Sequence, residues 1–232
     1  MNIIVDYGLG NLGSVSRGFA RAGIDTKISR DLDEIKNADS LILPGVGAFR
    51  DAINALNNLE LVDPIKDFVK SGKYMVGICL GMQLITIEYA RNVCGIKDAN
   101  SLEFDELCKN PVINLMSDQS LEDMGGTQRL GDYECQLNPG THAYRLYGKE
   151  MIKERHRHRY EFNNNYKDVL VENGLKVAGF NPERNLVEIV ELEDHPYYVG
   201  CQFHPEFTSR PNRAQPLFQG LISAAHDRKY NK

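Results

Sequence analysis

The amino-acid sequence predicts an α/β fold, a doubly wound, mostly parallel sheet flanked by helices with an added antiparallel segment. Short apolar runs alternate with segments of helical spacing from residue 2 to residue 93, which is typical of a parallel sheet with crossover helices. From Tyr133 onward the periodicity is mostly twofold, as in half-buried antiparallel strands. No linker, low-complexity segment or repeat divides the chain, so we expect one domain over residues 1–232.

The first half is expected to form consecutive strand and helix pairs. Strands are predicted at 2–5, 26–29, 40–43 and 75–78, and helices at 14–22, 31–36, 50–56, 61–71 and 82–93. Glycine-rich turns follow the strands at 2–5 and 40–43, and Gly72 ends the helix at 61–71. These breakers place the turns at the strand ends, where a parallel sheet binds its ligands.

The second half is less regular. Residues 98–130 are polar, contain Pro111, Gly125 and Gly126, and are followed by Gly131, so loops with one or two short strands are expected there. Twofold runs then predict strands at 133–137, 143–147, 176–180, 187–192 and 197–203, and an amphipathic helix is expected at 216–226.

Composition indicates a soluble cytoplasmic protein. A net charge of -5 and a pI near 5.7 argue against a nucleic-acid partner, which would require a basic face. No apolar run reaches the roughly 18 residues of a transmembrane helix, and the start of the chain lacks the features of a signal peptide, so no membrane partner is expected. The five cysteines are an odd number without a C-x-x-C pair, which favours free thiols in a reducing compartment.

The segment from Gly77 to Gly81 has the nucleophile-elbow pattern G-x-nucleophile-x-G, with Cys79 as the nucleophile. Such a turn between strand and helix is so tight that the nucleophile takes strained backbone angles and both flanking positions favour glycine. The thiol then lies at a helix N-terminus, where partial positive charge favours the thiolate. Alternatively, Cys79 is a small buried hydrophobic residue between two loop glycines.

A second glycine-rich turn, Gly45-Val46-Gly47, follows the strand at 40–43. Backbone N–H groups exposed at the end of a parallel strand are candidate donors to an oxyanion. We expect these donors to be the amides of Gly45 and Val46 together with the amide of Leu80. The alternative is an ordinary strand-to-helix turn that uses glycine for its backbone freedom.

A cysteine nucleophile needs a base and a group that orients the base. The apolar run 197–203 ends in His204-Pro205-Glu206, and the proline turns the chain so that Glu206 can fold back toward the imidazole of His204. A hydrogen bond between them would fix the tautomer and stabilise the imidazolium. Taken alone, the same three residues also fit a surface turn.

Two further patterns suggest a cofactor or a metal, but weakly. The turn 6–13 has G-x-G-x-x-G spacing, with Asp31 near the place of a ribose-binding carboxylate, yet the preceding strand has only four residues and the motif alone is weak. His156 and His158 lie on one face of a possible charged strand, without a nearby cysteine or third histidine to complete a metal site. No cofactor and no metal are therefore expected.

The elbow and His204-Pro205-Glu206, in this order, resemble the class I glutamine amidotransferase family. The resemblance covers nearly the whole chain and implies a flavodoxin-like α/β fold. It also implies that Cys79 attacks the side-chain amide of glutamine to form a thioester, that His204 delivers a proton to the departing ammonia, and that Glu206 orients His204. Water then releases glutamate.

Two branches of that family are recognisable. Residues 1 to about 84 resemble the glutaminase subunit of imidazole glycerol phosphate synthase, through residues 6–12, 14–15, 42–49 and 77–84. Residues from about 87 to 226 resemble the glutaminase domain of CTP synthase, through residues 87–93, 99–105, 124–131, 154–161 and 201–211. We therefore hypothesise a natural or engineered chimera joined just beyond the elbow.

The second resemblance implies how L-glutamine is held. Gln83 and Glu103 match positions that contact the substrate, with Glu103 at its α-ammonium group. Arg159 and the backbone of Tyr160 match positions that grip its carboxylate. A zwitterionic substrate needs one carboxylate and one guanidinium at a fixed separation, which agrees with this assignment.

The expected function is glutamine hydrolysis that supplies ammonia to a separate synthase. The N-terminal resemblance suggests a (βα)8-barrel cyclase as that partner, and the loop at 125–131 suggests a possible sensitivity to GTP. Two alternatives remain open at this point: a catalytically weak or inactive scaffold with a glutaminase fold, and a γ-glutamyl peptide hydrolase that uses the same triad.

Overall fold

The computed structural model describes residues 1–115, 128–192 and 194–230, with side chains as far as residue 226. Its α-helices are α1 (Leu12–Ala20), α2 (Leu32–Asn37), α3 (Phe49–Asn58), α4 (Val62–Lys70), α5 (Leu80–Asn92), α6 (His142–Tyr147), α7 (Lys167–Glu172) and α8 (Pro216–Tyr230). Its strands are β1 (Asn2–Val5), β2 (Thr26–Ser29), β3 (Ser40–Gly45), β4 (Tyr74–Cys79), β5 (Ala99–Ser101), β6 (Asn110–Leu115), β7 (Arg129–Leu137), β8 (Met151–His158), β9 (Tyr160–Phe162), β10 (Leu175–Asn181), β11 (Leu186–Leu192) and β12 (Tyr198–Cys201).

The main sheet has the order β2-β1-β3-β4-β12-β11-β10-β7-β8 in the described part of the chain. The strands from β2 to β12 in this order pair in parallel, and those from β12 to β8 pair antiparallel. This confirms the predicted doubly wound sheet with an added antiparallel segment.

Strand register brings three chain segments to one edge of the sheet. Gly45 lies opposite Cys79 in the β3–β4 pair, and Cys201 lies opposite Ile78 in the β12–β4 pair. The turn after β3, the elbow after β4 and the segment after β12 therefore leave the sheet side by side. Such a crevice at the carboxyl ends of parallel strands is where open α/β sheets bind ligands.

Alternating residues of the central strands pack into two hydrophobic cores, one on each face of the sheet. Ile3 and Leu41 pack with residues of α2 to α5, whereas Ile4 and Ile42 pack with residues of α1 and α8. Successive side chains of a strand point to opposite faces, so helices must cover both. The apolar runs of β1, β3 and β4 are continuous because neither face is exposed to water.

The smaller sheet, β5-β6-β9, lies outside the main sheet order. Its two strands at 98–130 agree with the one or two short strands expected there. The predicted loop residues 116–127, which include part of the 125–131 segment, lie outside the described residues. The sheet matters for the site because Glu103 follows β5 and Tyr160 begins β9.

The strand predicted at 143–147 is wrong, because these residues form α6. The Thr141 hydroxyl accepts a hydrogen bond from the Tyr144 N–H at 3.1 Å, which caps the helix start, and Gly148 ends it with a left-handed conformation at φ 61°. These caps stabilise the two ends of the helix, and their effect outweighs a twofold pattern of only five residues. The short helix α7 is not predicted by the sequence.

None of the described helices is long and apolar enough to cross a membrane.

Candidate active site

The elbow places Cys79 at the junction of β4 and α5. Its backbone has φ 54° and ψ -106°, a conformation that a residue with a side chain rarely adopts. A Cβ atom on Gly81 would lie 2.0 Å from the carbonyl oxygen of Leu43, and one on Gly77 would lie 2.9 Å from the carbonyl carbon of Gly81. The predicted strained turn is confirmed, and glycine is required at both flanking positions because a side chain there would clash with nearby backbone atoms.

His204 follows β12, the strand that pairs with β4 beside the elbow. Its Nδ1 atom lies 2.9 Å from Oε1 of Glu206, and its backbone N–H donates to the carbonyl of Arg155 at 2.8 Å. The carboxylate accepts from Nδ1, so the Nε2 atom is the one available for proton exchange. Both side chains are almost fully buried, which holds the pair in one arrangement.

The electrostatics of His204 link it to Cys79. Burial alone lowers the pKa of His204, but the negative charge of Cys79 and hydrogen bonds to Cys79 and Glu206 outweigh that effect and raise the pKa to about 10. Its Nε2 atom is buried and has no hydrogen-bond partner of normal geometry among the described residues, so it is the ring nitrogen available for exchange with the thiol. An imidazolium next to a thiolate is the arrangement that activates cysteine nucleophiles.

A cavity of about 480 Å³ opens beside the thiol. It is lined by Val46, Gly47, Ala48, Cys79, Leu80, Gln83, Glu103, Gln128, Arg157, His158, Arg159 and Tyr160. The volume suits a small ligand. The mixed lining of backbone amides, one carboxylate and guanidinium groups suits a zwitterionic one.

The three expected oxyanion donors lie around the elbow. Val46 and Leu80 line the cavity next to Cys79. Gly45 lies beside Cys79 in the strand register, where a Cβ atom would come within 2.5 Å of the Tyr7 hydroxyl and 2.7 Å of the Leu80 Cβ. A glycine is therefore required for β3 to approach the elbow closely.

The four residues expected to hold the substrate all line the cavity. Glu103 accepts a hydrogen bond from the backbone N–H of Phe49 at 3.1 Å. Burial raises the pKa of Glu103, while the nearby charge of Arg159 opposes that shift. Gln83 donates to the carbonyl oxygen of Tyr160 at 2.9 Å. The structure thus brings together residues that are up to 77 positions apart in the chain.

A buried charge cluster supports the segment that carries Arg159 and Tyr160. The Arg129 guanidinium forms an ion pair with Glu188 and lies 3.5 Å from Glu161. The two histidines considered as metal ligands are part of it, because Nε2 of His156 lies 3.5 Å from Glu188 and Nδ1 of His158 lies 3.7 Å from Glu161. Among the described residues, no group of three or more histidine, cysteine or acidic side chains is arranged to hold a metal ion.

The protonation state of this cluster follows from its burial. Burial raises the pKa of Glu161 and Glu188, and the charge of Glu188 raises that of Glu161 further, against the lowering effect of Arg129. The folded chain therefore holds a carboxyl proton that the unfolded chain, with an ordinary value of 4.5, has already lost near neutral pH. Stability must then fall as the pH rises through the raised pKa values.

We expect the free energy of unfolding to decrease from about pH 5, just above the ordinary carboxyl pKa of 4.5, to about pH 8, the raised pKa of Glu161, by up to about 1.4 kcal/mol per pH unit for one proton. His204 contributes in the same direction, because its pKa is also raised above the ordinary 6.5. Urea unfolding at several pH values measures the slope. The matched variant Glu161→Gln, which mimics the protonated carboxyl, should show a shallower slope, and identical slopes in both proteins would contradict the assignment.

Sequence reasoning missed several residues that contact the thiol or line the cavity. The backbone carbonyl of Arg157 lies 4.0 Å from the Cys79 sulfur, and the side-chain amide of Gln202 lies 3.7 Å from it. His158 and Gln128 line the cavity. One signal was present, since Gln202 is a polar residue between Cys201 and Phe203 at the end of an apolar run.

Comparison with known proteins identifies relatives of this arrangement. Residues 3–224 match the family model of glutamine amidotransferase class-I. A CTP synthase of Moorella thermoacetica is 58% identical over 151 residues, which are 65% of this chain and 28% of that protein. A CTP synthase of Geobacter sulfurreducens is 48% identical over 204 residues, which are 87% of this chain and 36% of that protein. The chain thus spans about a third of the length of these relatives.

Solved structures extend the comparison to the fold. The glutaminase domain of Trypanosoma brucei CTPS with bound acivicin has a TM-score of 0.83 and 26% sequence identity, and the match covers 98% of this chain and 94% of that one. A further glutamine amidotransferase structure has a TM-score of 0.62 at 14% identity, with 97% of this chain and 98% of that chain covered. The second similarity concerns the fold alone.

Proposed function

The chain belongs to the class-I glutamine amidotransferase family, and from that premise we propose that it hydrolyses L-glutamine to L-glutamate and ammonia with Cys79, His204 and Glu206 as its triad. The observation that carries this proposal is the convergence of a strained cysteine with a buried His204–Glu206 pair beside one cavity. Cys79 lies at the end of β4, and His204 and Glu206 lie just after the adjacent parallel strand β12. The whole chain is proposed to act as one glutaminase domain.

The proposed reaction has two steps. The Cys79 sulfur attacks the side-chain amide carbon of glutamine, and the carbon–nitrogen bond breaks as His204 gives its proton to the leaving ammonia. A thioester between Cys79 and the γ-carboxyl carbon remains. His204, now neutral, takes a proton from water, the resulting hydroxide attacks the thioester, and glutamate and the Cys79 thiolate are released.

Two sets of groups are proposed to assist these steps, one by stabilising the oxyanion of each tetrahedral intermediate and the other by orienting the imidazole of His204. The backbone amides of Gly45, Val46 and Leu80 are proposed to donate to the oxyanion of each tetrahedral intermediate. Glu206 holds the imidazole in the tautomer that keeps Nε2 free for proton transfer. The low exposure of the triad supports both roles, since hydrogen bonds to developing charge are stronger where water is excluded.

The substrate is proposed to be bound by its two charged ends. Glu103 takes the α-ammonium group and Arg159 takes the α-carboxylate, with Gln83 and the backbone of Tyr160 completing the wall. This placement leaves the side-chain amide directed at the sulfur. The opposite charges of Glu103 and Arg159 on the wall of one cavity support the choice of a zwitterionic substrate over a neutral amide.

Ammonia is proposed to pass to a synthase, and the N-terminal resemblance suggests a (βα)8-barrel cyclase. We further propose a chimera, in which residues 1 to about 84 belong to the branch of the glutaminase subunit of imidazole glycerol phosphate synthase and the residues that follow belong to the CTP synthase branch. The acceptor is therefore the part of the proposal that needs a separate measurement.

The test is the release of glutamate and ammonia by the purified chain, measured together. We expect equal amounts of both from L-glutamine, and little from L-asparagine, whose shorter side chain cannot reach the sulfur while its charged ends are held. Release from γ-glutamyl peptides but not from glutamine would favour a peptide hydrolase, and no release would favour an inactive scaffold. A (βα)8-barrel cyclase added in a parallel sample should raise the rate if it is the partner, and an unchanged rate would reject it.

A further inference from the structure

Gln202 is fixed next to the nucleophile by the register of the main sheet. It follows directly after β12, whose Cys201 pairs with Ile78, so its position corresponds to that of Cys79 on the neighbouring strand. Its backbone N–H donates to the carbonyl oxygen of Glu188 at 2.8 Å. The residue is fully buried, which leaves its side-chain amide no partner in water.

The orientation of this amide follows from its neighbours. The backbone carbonyl of Tyr160 can only accept, so the amide nitrogen of Gln83 must face it, at 2.9 Å. That same nitrogen lies 3.3 Å from Oε1 of Gln202. The oxygen of Gln202 is thereby assigned to Gln83, and its NH2 group is directed at the Cys79 sulfur at 3.7 Å.

We propose that Gln202 is a further catalytic residue, which donates a hydrogen bond from its side-chain amide to the Cys79 sulfur and stabilises the attacking thiolate. A thiolate accepts hydrogen bonds better than a neutral thiol does, so a buried donor aimed at the sulfur favours the charged form. The Gln202 side chain is held by a chain of hydrogen bonds, in which Gln83 donates to both the Tyr160 carbonyl and the Gln202 side-chain oxygen. The donor therefore needs no rearrangement when the charge on the sulfur forms.

This inference rests on the proposed function for its catalytic part, although the hydrogen bond itself does not. The competing explanation is that Gln202 satisfies only its own buried amide and has no effect on the sulfur. Among the described residues, Cys79 interacts electrostatically with His204, Tyr7 and Cys201. Substitution of Gln202 leaves all three in place, so a change at the sulfur can be assigned to the lost donor.

The experiment measures alkylation of Cys79 by iodoacetamide as a function of pH, with the Cys79 peptide quantified by mass spectrometry and the Cys108 peptide as an internal reference. In Gln202→Leu we expect the midpoint of the pH dependence to move upward by about one unit, and the rate at pH values below the midpoint to fall about tenfold. In Gln202→Glu, a carboxylate of the same shape faces the sulfur, and the upward shift should be larger. The kcat for glutamine should fall in both variants, with a smaller change in KM.

The matched control is Gln215→Leu, which removes a buried glutamine amide that is bonded to Glu154 and Tyr147 instead. Its alkylation midpoint should equal that of the unmodified chain. An unchanged midpoint in a folded Gln202→Leu or Gln202→Glu protein would overturn the proposal. Because alkylation needs no glutamine, this result is independent of whether the chain proves to be a glutaminase.

Discussion

Replacing Cys79 with alanine is expected to lower the rate of glutamine hydrolysis by about 10³-fold or more, to the background of the assay. No other described side chain holds a nucleophile at the turn between β4 and α5. The strained backbone at this position, φ 54°, persists because the two adjacent strands and the helix determine it, so alanine should leave the fold unchanged. The kcat for ammonia release is the quantity to measure.

The control for this substitution is Cys108→Ala, a half-buried cysteine that follows the β5 strand and does not contact the thiol. It should retain full activity. Binding of glutamine by Cys79→Ala, followed by calorimetry, separates loss of chemistry from loss of the site. Hydrolysis that persists in Cys79→Ala at the original rate would exclude Cys79 as the nucleophile and leave the cavity as a binding site only.

Gly81→Ala is expected to produce the largest effect on stability. The new Cβ atom would lie 2.0 Å from the carbonyl oxygen of Leu43, which is backbone of a central strand and cannot move away without separating β3 from β4. We expect the free energy of unfolding to fall by about 4 kcal/mol or more. This is a large share of the total free energy of unfolding of a typical domain, which is about 5 to 15 kcal/mol. Urea unfolding followed by circular dichroism measures the loss.

Gly13→Ala provides the matched comparison, since Gly13 lies within α1 and its Cβ atom would meet only the end of the flexible Arg17 side chain, at 3.2 Å. Alanine is favoured over glycine within a helix by about 1 kcal/mol, so this variant should be as stable as the original or slightly more so. Equal stability of Gly81→Ala and the original chain would mean that the elbow tolerates a side chain and that its glycine spacing has another origin.

The sequence predicted the local geometry around Cys79 and His204 because each of these two parts of the site depends on residues close together in the chain. The glycine spacing of the elbow reflects contacts within one strand-to-helix turn, and those contacts are present around Cys79. His204 and Glu206 are two residues apart and form their hydrogen bond through a single turn. The functional roles of these residues remain predictions that the experiments above address.

Predictions that depended on weaker local signals were less successful. The run at 143–147 alternates like a strand, yet the cap at Thr141 and the left-handed Gly148 make it helical. The strand β8 has buried residues at every second position, but three of these four are polar. The buried side chains of β8 are mostly polar and are held by hydrogen bonds and ion pairs, so a search for alternating hydrophobic residues cannot detect this strand.

The sequence by itself determined the order of strands and helices in the parallel half, the strained elbow and the His204–Glu206 pair. Only the tertiary structure decided which distant groups meet at the sulfur and in the cavity. The register of β12 beside β4 places Gln202 at the thiol, and the buried cluster of Arg129, Glu161 and Glu188 supports the wall that carries Arg159. The physical reason is that turn geometry depends on neighbours in the chain, whereas the hydrogen bonds of buried polar groups depend on strand register and on partners more than 50 positions away.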